Sequence, residues 1–408
     1  MVRRGSTVDA GDPIRIRIWS NDCSMANLTL HAQARNLSVA DELTGLILDG
    51  TKIRWHQDRI QAWENGEKFA PITIDMALTR ACNYSCSFCY AMLQENDRHN
   101  ITWEVMERFL NEAAEKGVKG ISFVSDGEST LSPVFFKSLK LGHELGISMA
   151  VGTNGWLLTP DKLDQFMPYL TYLRFNISAG TPDRYAEIMG VSEDHFHQVI
   201  DNARAMMEWK TANQELPTVG FQMVLMPQDA DQIVPFAQRA IDSRVDYGII
   251  KHCSDDEAGS LGVDYEKYPA LYPVLEAVEG MSTSRTAIRA KWSKITQGPE
   301  RSYSRCYGAP FILQISGSGL IAPCGMLFNQ RYASYHIGNI VQDSFKDLLE
   351  ADEYWDVMNR LASPEFDANR MCGALCLQHK TNEALDYYVK GLDDLKPAGA
   401  KPEHLNFI

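Results

Sequence analysis

The chain has 408 residues, of which 45% are hydrophobic, so it is long enough to bury a large core and is not a disordered protein. Its formal net charge of −14 argues against bulk DNA or RNA binding, because nonspecific affinity for nucleic acid comes mainly from lysine and arginine. The longest apolar runs are far shorter than the roughly 20 residues that cross a bilayer. Two arginines near the start are not followed by an apolar segment, so we expect a cytoplasmic protein without a membrane span.

Residues 1–70 are predicted to form a small N-terminal element. Segments 15–19 (RIRIW) and 27–33 (NLTLHAQ) alternate between apolar and polar residues, which favours two β-strands. A helical stretch from Trp55 to Glu67 follows them.

Residues 71–255 read as a series of βα units. Short apolar runs that favour strands alternate with amphipathic helices; the strand candidates are 71–78, 120–126, 147–153, 172–178, 218–226 and 247–252. One helix is predicted over 102–117, with Thr102 as its N-cap and Gly117 at its end. The fold class is therefore α/β, a partial (β/α)6 TIM-like barrel whose functional residues are expected at the carboxyl ends of the strands.

The last third of the chain is predicted to contain three further parts. Residues 256–302 are charged and predict a helical linker, and residues 303–380 form a glycine-rich module with short strands. Residues 381–408 are expected to form a tail, with a helix followed by an extended surface segment.

Nine cysteines in a chain without an export signal indicate metal ligands or redox groups rather than disulfides. Cys82, Cys86 and Cys89 follow the first predicted strand at a C-x3-C-x2-C spacing, which lets one loop wrap one inorganic cluster. Iron–sulfur clusters select thiolates, and three thiolates leave one iron of a cubane open to chelate the amine and carboxylate of an amino acid. The alternatives are a zinc site completed by a distant ligand, or cysteines that only pack.

The C-x3-C-x2-C spacing, with Phe88 just before the third cysteine, resembles the radical S-adenosylmethionine superfamily. The resemblance implies a 4Fe–4S cluster that donates one electron to S-adenosylmethionine. Methionine and a 5′-deoxyadenosyl radical result, and the radical removes a hydrogen atom from the substrate. A flavodoxin or ferredoxin is the implied electron donor.

Further motifs resemble the parts of this family that hold S-adenosylmethionine. In SDGEST, Asp126, Gly127 and Glu128 match the first three positions of the family's Gly-Gly-Glu-Pro motif, and Ser129 replaces proline. The other candidates follow the next three strands, namely Thr153, Asn154, Asn176, Ser178 and Gln222. The alternatives are a loop acid that caps the next helix, an ordinary TNG turn and solvated polar residues at strand ends.

A second set of cysteines lies in the glycine-rich module, namely Cys306, Cys324, Cys372 and Cys376. Four thiolates saturate a second cubane. The pattern resembles the superfamily's C-terminal SPASM and twitch modules, and it lacks the three further cysteines of a full SPASM module. The twitch form, with one auxiliary 4Fe–4S cluster, is therefore expected. The alternatives are a structural zinc ribbon and a site in which His379 replaces Cys376.

Lys251 and Cys253, at the end of the sixth predicted strand, are the catalytic candidates. A thiol gives up a hydrogen atom readily, so Cys253 is a candidate donor to a substrate radical, and Lys251 is a candidate base or a ligand for an acidic group. The alternatives are a small buried hydrophobe for Cys253 and a surface lysine for Lys251.

Three functions fit this sequence. The favoured one is dehydrogenation, epimerisation or rearrangement of a small polar substrate, such as a sugar, an aminocyclitol or a nucleoside derivative. The second is modification of a peptide or protein, in which the first 70 residues would bind a leader peptide by strand addition. The third is a metal-binding scaffold without catalytic activity.

Overall fold

A computed structural model of the chain describes residues 50–94, 99–213, 217–296, 301–372 and 376–408. The two N-terminal strand predictions, at 15–19 and 27–33, lie outside the described residues. The predicted helix from Trp55 to Glu67 is shorter in the structure: a 3-10 turn over Gly50–Trp55 precedes an α-helix over Gln57–Glu64. Among the described residues, no helix is both long and apolar enough to span a membrane.

The described residues contribute ten strands to one sheet. The strands are β1 (Thr73–Met76), β2 (Gly120–Phe123), β3 (Ser148–Thr153), β4 (Tyr172–Asn176), β5 (Thr218–Leu225), β6 (Tyr247–His252), β7 (Ala287–Ala290), β8 (Ile312–Ile315), β9 (Leu320–Ala322) and β10 (Gly338–Asn339). The order across the sheet is β10-β9-β8-β1-β2-β3-β4-β5-β6-β7. The strands from β8 through β1 to β7 are parallel, and β9 and β10 are antiparallel additions at one edge.

The helices cover the parallel strands in the manner of βα units. The α-helices are α1 (Gln57–Glu64), α2 (Trp103–Lys116), α3 (Phe135–Glu144), α4 (Leu163–Phe166), α5 (Pro182–Met189), α6 (Glu193–Asn213), α7 (Ile233–Asp242), α8 (Tyr272–Glu279), α9 (Trp292–Ile295), α10 (Phe345–Glu350), α11 (Asp352–Ala362) and α12 (His379–Val389). The helix predicted over 102–117 is confirmed as α2. The Thr102 side chain accepts a hydrogen bond from the Val105 amide, and Gly117 ends the helix in a left-handed conformation with φ 87°.

All six predicted strands of the partial barrel are confirmed as β1 to β6, and the parallel sheet continues beyond them. Residues 256–302 are not wholly helical, because they contain β7, which pairs with β6. β8, from the predicted C-terminal module, pairs in parallel with β1, so the sheet runs from the barrel into the segment that carries the second cysteine set. β7, which lies in a charged stretch, was not predicted, whereas β8 is one of the short strands expected in the C-terminal module.

The end of the chain closes the amino end of the barrel. The Thr73 hydroxyl donates to the Asn406 carbonyl at 2.7 Å, and His404 Nε2 lies 3.0 Å from the Thr218 hydroxyl. The Phe407 ring is 1% exposed and meets the Tyr172 ring edge to face at 4.9 Å between centroids. The prediction of an extended surface segment is therefore wrong for these last residues, whose burial depends on the opening that the strands leave at this end.

Candidate active site

A cavity of about 1440 Å³ lies at the carboxyl ends of the parallel strands. Its wall includes all three cysteines of the first set, the loop 124–129 after β2, and residues from the ends of β4, β5 and β6. Of the predicted site residues outside the second cysteine set, all line the cavity except Thr153 and Ser178. The fold thus brings together motifs that are up to about 170 residues apart in the sequence, as expected for parallel strands.

The loop with the first three cysteines is fixed by its backbone. The amides of Ser85 and Ser87 donate to the carbonyls of Met189 and Ile188 at the end of α5, at 3.2 and 2.9 Å. Gly190 permits this approach, since a Cβ at that position would come within 2.5 Å of the Ser85 carbonyl oxygen. These two hydrogen bonds hold the cysteine loop against the end of α5.

The three thiols of this loop lie within electrostatic reach of one another. Burial raises the pKa of Cys86, and the charges of Cys89 and Cys82 raise it further. Burial also raises the pKa of Cys82, and the charge of Cys89 acts in the same direction. Three neighbouring thiolates repel one another, so the arrangement favours a positively charged group that binds all three.

The loop after β2 approaches the cysteine loop too closely for any side chain but glycine. A Cβ on Gly127, whose φ is +80°, would come within 2.1 Å of the Thr79 carbonyl oxygen. Asp126 accepts from the Gly317 amide at 2.7 Å and pairs with Arg80 at 3.1 Å, so its carboxylate ties three segments together. Burial nevertheless raises the pKa of Asp126.

Glu128 connects this loop to the turn after β3. Its carboxylate accepts from the Thr153 hydroxyl at 2.8 Å, the Asn154 amide at 2.8 Å and the Thr130 hydroxyl at 2.8 Å. The Asn154 side chain donates in turn to Asn83 of the cysteine loop at 2.8 Å. Glu128 also accepts from the Thr130 amide and caps a 3-10 turn, so it has the capping role weighed above together with its place in the cavity wall.

The candidates on β4 and β5 divide into two groups. The Gln222 side chain donates to the Asn176 side chain at 2.9 Å, and both residues line the cavity. Ser178 is fully buried, and its hydroxyl accepts from the Val224 amide at 3.2 Å, which joins β4 to β5. Asn176 and Gln222 can therefore contact a ligand in the cavity, whereas Ser178 holds the strands that carry them.

Cys253 lies against the cysteine loop and is 1% exposed. Its thiol is 3.8 Å from the Phe88 carbonyl oxygen and 3.6 Å from the Ser254 carbonyl oxygen. Burial raises the pKa of this cysteine to about 12, so the side chain is a thiol at neutral pH. It therefore carries the hydrogen that a donor to a carbon radical requires.

A layer of polar and charged side chains crosses the barrel interior, and the sequence analysis identified only Lys251 in it. The others are Asp75 on β1, Arg174 on β4 and Gln314 on β8, all of which line the cavity. Gln314 donates to Asp75 at 3.5 Å, and burial raises the pKa of Asp75 to about 6 although the charges of Arg174 and Lys251 lower it. In the sequence, the signal for this layer is a charged residue at an inward position of an otherwise apolar strand.

The second cysteine set meets in space from separate segments of the chain. Burial raises the pKa of Cys306 to about 12, and the neighbouring charge of Cys376 acts in the same direction. The pKa of Cys372 is likewise raised to about 12 by burial, and by the charges of Cys376 and Cys306, while Arg301 lowers it. Burial also raises the pKa of Cys324, and the charges of the other three thiols raise it further.

Polar side chains surround these four sulfurs. Asn382 on α12 donates to the sulfurs of Cys306 and Cys376 at 3.6 and 3.5 Å, and Arg301 donates to the sulfur of Cys372 at 3.5 Å. The Lys294 ammonium donates to the Cys376 carbonyl. His379 points its Nδ1 at the Tyr303 hydroxyl, 3.0 Å away, so that nitrogen is already engaged.

Among the described residues, no group of three His, Cys, Asp or Glu side chains lies close enough together to hold a single metal ion.

The sequence is similar to a known superfamily and to several known proteins. Residues 76–240 match the model of the radical SAM superfamily. The AdoMet-dependent heme synthase of Methanosarcina barkeri is 24% identical over 330 residues, which cover 74% of this chain and 88% of that protein. The sporulation killing factor maturation protein SkfB of Bacillus subtilis is 22% identical over 297 residues, covering 69% of this chain and 65% of that protein.

The fold is similar to that of SuiB from Streptococcus suis. The structure of SuiB bound to S-adenosylmethionine superposes with a TM-score of 0.55 at 19% identity, and the match covers 71% of this chain and 68% of SuiB. The structure of SuiB bound to its precursor peptide SuiA gives the same TM-score at 18% identity, covering 73% of this chain and 69% of SuiB.

Proposed function

We propose that this chain is an enzyme of the radical S-adenosylmethionine superfamily and that it removes a hydrogen atom from a small polar substrate held inside the barrel. The outcome is dehydrogenation, epimerisation or a similar rearrangement. The supporting observation is the polar layer of Asp75, Arg174, Lys251 and Gln314 in the same cavity as the first cysteine set. An interior of this kind suits a substrate with several hydrogen-bonding groups, because each buried polar group needs a partner.

Cys82, Cys86 and Cys89 would hold the first 4Fe–4S cluster, whose fourth iron is left for S-adenosylmethionine. When bound, the cluster and S-adenosylmethionine supply a 5′-deoxyadenosyl radical that takes a hydrogen atom from the substrate. Glu128 keeps the turn with Asn154 against the cysteine loop, and Asn176 and Gln222 offer hydrogen bonds to the nucleoside. A flavodoxin or ferredoxin is the proposed electron donor.

Cys306, Cys324, Cys372 and Cys376 would hold an auxiliary 4Fe–4S cluster. Because all four irons would be ligated, this cluster would move electrons or hold the fold rather than bind S-adenosylmethionine. Arg301 and Lys294 are placed to balance the charge of four thiolates, and the Asn382 amide donates hydrogen bonds to two of the sulfurs.

The role of Cys253 decides between epimerisation and oxidation of the substrate. We assign its buried thiol as the hydrogen donor to the substrate radical, which leaves a thiyl radical that a further electron and proton restore. Cys253→Ala should abolish product formation, while 5′-deoxyadenosine still forms when substrate is added. Cys253→Ser keeps the side-chain volume and serves as the matched control. Solvent deuterium in the product supports epimerisation, and unchanged turnover in Cys253→Ala removes the donor assignment.

Modification of a peptide is the second candidate, because SkfB is a peptide maturation protein and SuiB binds a precursor peptide. The two candidates differ in what stimulates 5′-deoxyadenosine formation by the anaerobically reconstituted enzyme. Stimulation by sugars, aminocyclitols or nucleosides supports the small-molecule function. Stimulation only by a peptide encoded beside the enzyme's gene contradicts it.

A further inference from the structure

Arg174 occupies a place inside the barrel that the neighbouring strands leave open for it. Its register partners on both sides are glycines, Gly152 on β3 and Gly220 on β5. A Cβ on Gly152 would lie 3.3 Å from a terminal nitrogen of the Arg174 guanidinium, and a Cβ on Gly220 would lie 2.2 Å from the Tyr247 ring. Gly152 thus leaves room beside the guanidinium, and Gly220 leaves room for the Tyr247 ring on the neighbouring strand.

The cations of this layer outnumber its acids. Among the described residues, the side chains of Arg174 and Lys251 form no salt bridge or hydrogen bond with a protein group, and Arg174 Nε is buried without a hydrogen-bond partner. Asp75 is the acid in electrostatic contact with both. This excess of positive charge stands inside a chain whose net charge is −14.

Burial and like charges act together on Lys251. The pKa of Lys251 is lowered to about 7, mainly by burial and then by the charges of Arg174, Lys291 and Lys294, while Cys253 acts in the opposite direction. One carboxylate does not balance two cations, and an anion that binds beside them removes the cost of the unbalanced charge. The guanidinium is also the side chain best suited to a carboxylate or phosphate, because it donates two parallel hydrogen bonds.

We infer that the substrate carries a carboxylate or phosphate group that Arg174 and Lys251 bind inside the barrel. The inference rests on the proposed function and narrows its substrate to small anionic molecules. Asp75 and Gln314, across the same layer, then face the part of the substrate that carries hydroxyl or amino groups.

The test uses the anaerobically reconstituted enzyme saturated with S-adenosylmethionine, titrated calorimetrically with inorganic phosphate and, separately, with malonate. Saturable binding of one of the two probes is expected, and the probe that binds identifies the anionic group. Arg174→Gln and Lys251→Gln should each weaken binding about tenfold or more, and Arg174→Lys should restore only part of it. With malonate, which is almost fully ionised near neutral pH, the wild-type affinity should also fall as pH rises through about 7, where Lys251 loses its charge, and Lys251→Gln should reduce that dependence.

Two surface variants serve as matched controls. Arg204→Gln and Lys140→Gln remove cations that are paired with Asp201 at 3.5 Å and Glu144 at 3.8 Å on the outside of the molecule. Both controls should bind the probes and cleave S-adenosylmethionine as the wild type does. If they weaken probe binding as much as the cavity variants do, the binding is general surface attraction and the inference is wrong.

Two other outcomes overturn the inference. One is the absence of saturable binding of either probe to the wild type. The other is an equal loss of S-adenosylmethionine affinity in Arg174→Gln and Lys251→Gln, which assigns these cations to the carboxylate of S-adenosylmethionine. A failure of the proposed function looks different: the probes bind, but no small molecule stimulates 5′-deoxyadenosine formation.

Discussion

The two cysteine sets of this protein are held in opposite ways. The first three cysteines lie in one loop whose backbone is fixed to α5, and Cys82 is exposed at the cavity. The four cysteines of the second set are half-buried, come from separate segments, and receive side-chain hydrogen bonds from Asn382 and Arg301. The first site therefore leaves room for a ligand to approach, whereas the second site encloses its sulfurs within the protein.

Substitution in the first set should have the largest effect on activity. Cys86→Ala is expected to abolish reductive cleavage of S-adenosylmethionine and to remove about four irons per chain, because two thiolates do not hold a cubane. Anaerobic iron analysis and 5′-deoxyadenosine formation with dithionite measure the two effects. Cys253→Ala is the control for loss of a thiol in the same cavity, and it should keep its iron.

Substitution in the second set should remove iron and leave the first site loaded. Replacing both Cys372 and Cys376 by alanine is expected to lower iron from about eight to about four per chain. The visible and electron paramagnetic resonance spectra of the remaining cluster should still change when S-adenosylmethionine is added. An unchanged iron content per chain would contradict the assignment of an auxiliary cluster.

The tight approach of the loop after β2 to the cysteine loop predicts an effect on cofactor affinity. Gly127→Ala should raise the Kd for S-adenosylmethionine about tenfold or more, because the new Cβ must displace the Thr79 backbone. Gly66→Ala is the matched control, since Gly66 has φ +67° and no atom within 4 Å of the added Cβ. Equal affinities for the wild type and Gly127→Ala would show that the contact does not shape the pocket.

The smallest expected effect concerns the hydrogen bonds to the second set. Asn382→Leu removes two N–H donors to sulfur, so the reduction potential of the auxiliary cluster should become more negative while that of the first cluster stays unchanged. Potentiometric titration followed by electron paramagnetic resonance separates the two clusters. A potential that does not move, with all iron retained, would mean that the Asn382 amide does not tune the cluster.

Much of the site could be predicted because its signals are local. A pattern over a few residues is enough to identify the three cysteines within eight residues, the glycine at 127 and the six strand segments of the barrel. Parallel strands then place their carboxyl ends at one edge, so residues as distant as Cys82 and Lys251 reach one cavity.

The sequence by itself therefore determined the core fold, and its cysteine spacing predicted the radical chemistry and the residues around the first cluster. Only the tertiary structure decided the features that depend on partners remote in the chain. It showed that β8 extends the barrel sheet beside β1, that Phe407 seals the amino end of the barrel, and that Asn382 reaches the sulfurs of Cys306 and Cys376. It also set Arg174 between two glycine positions inside the barrel, because strand register, which local sequence does not specify, decides which side chains share a layer.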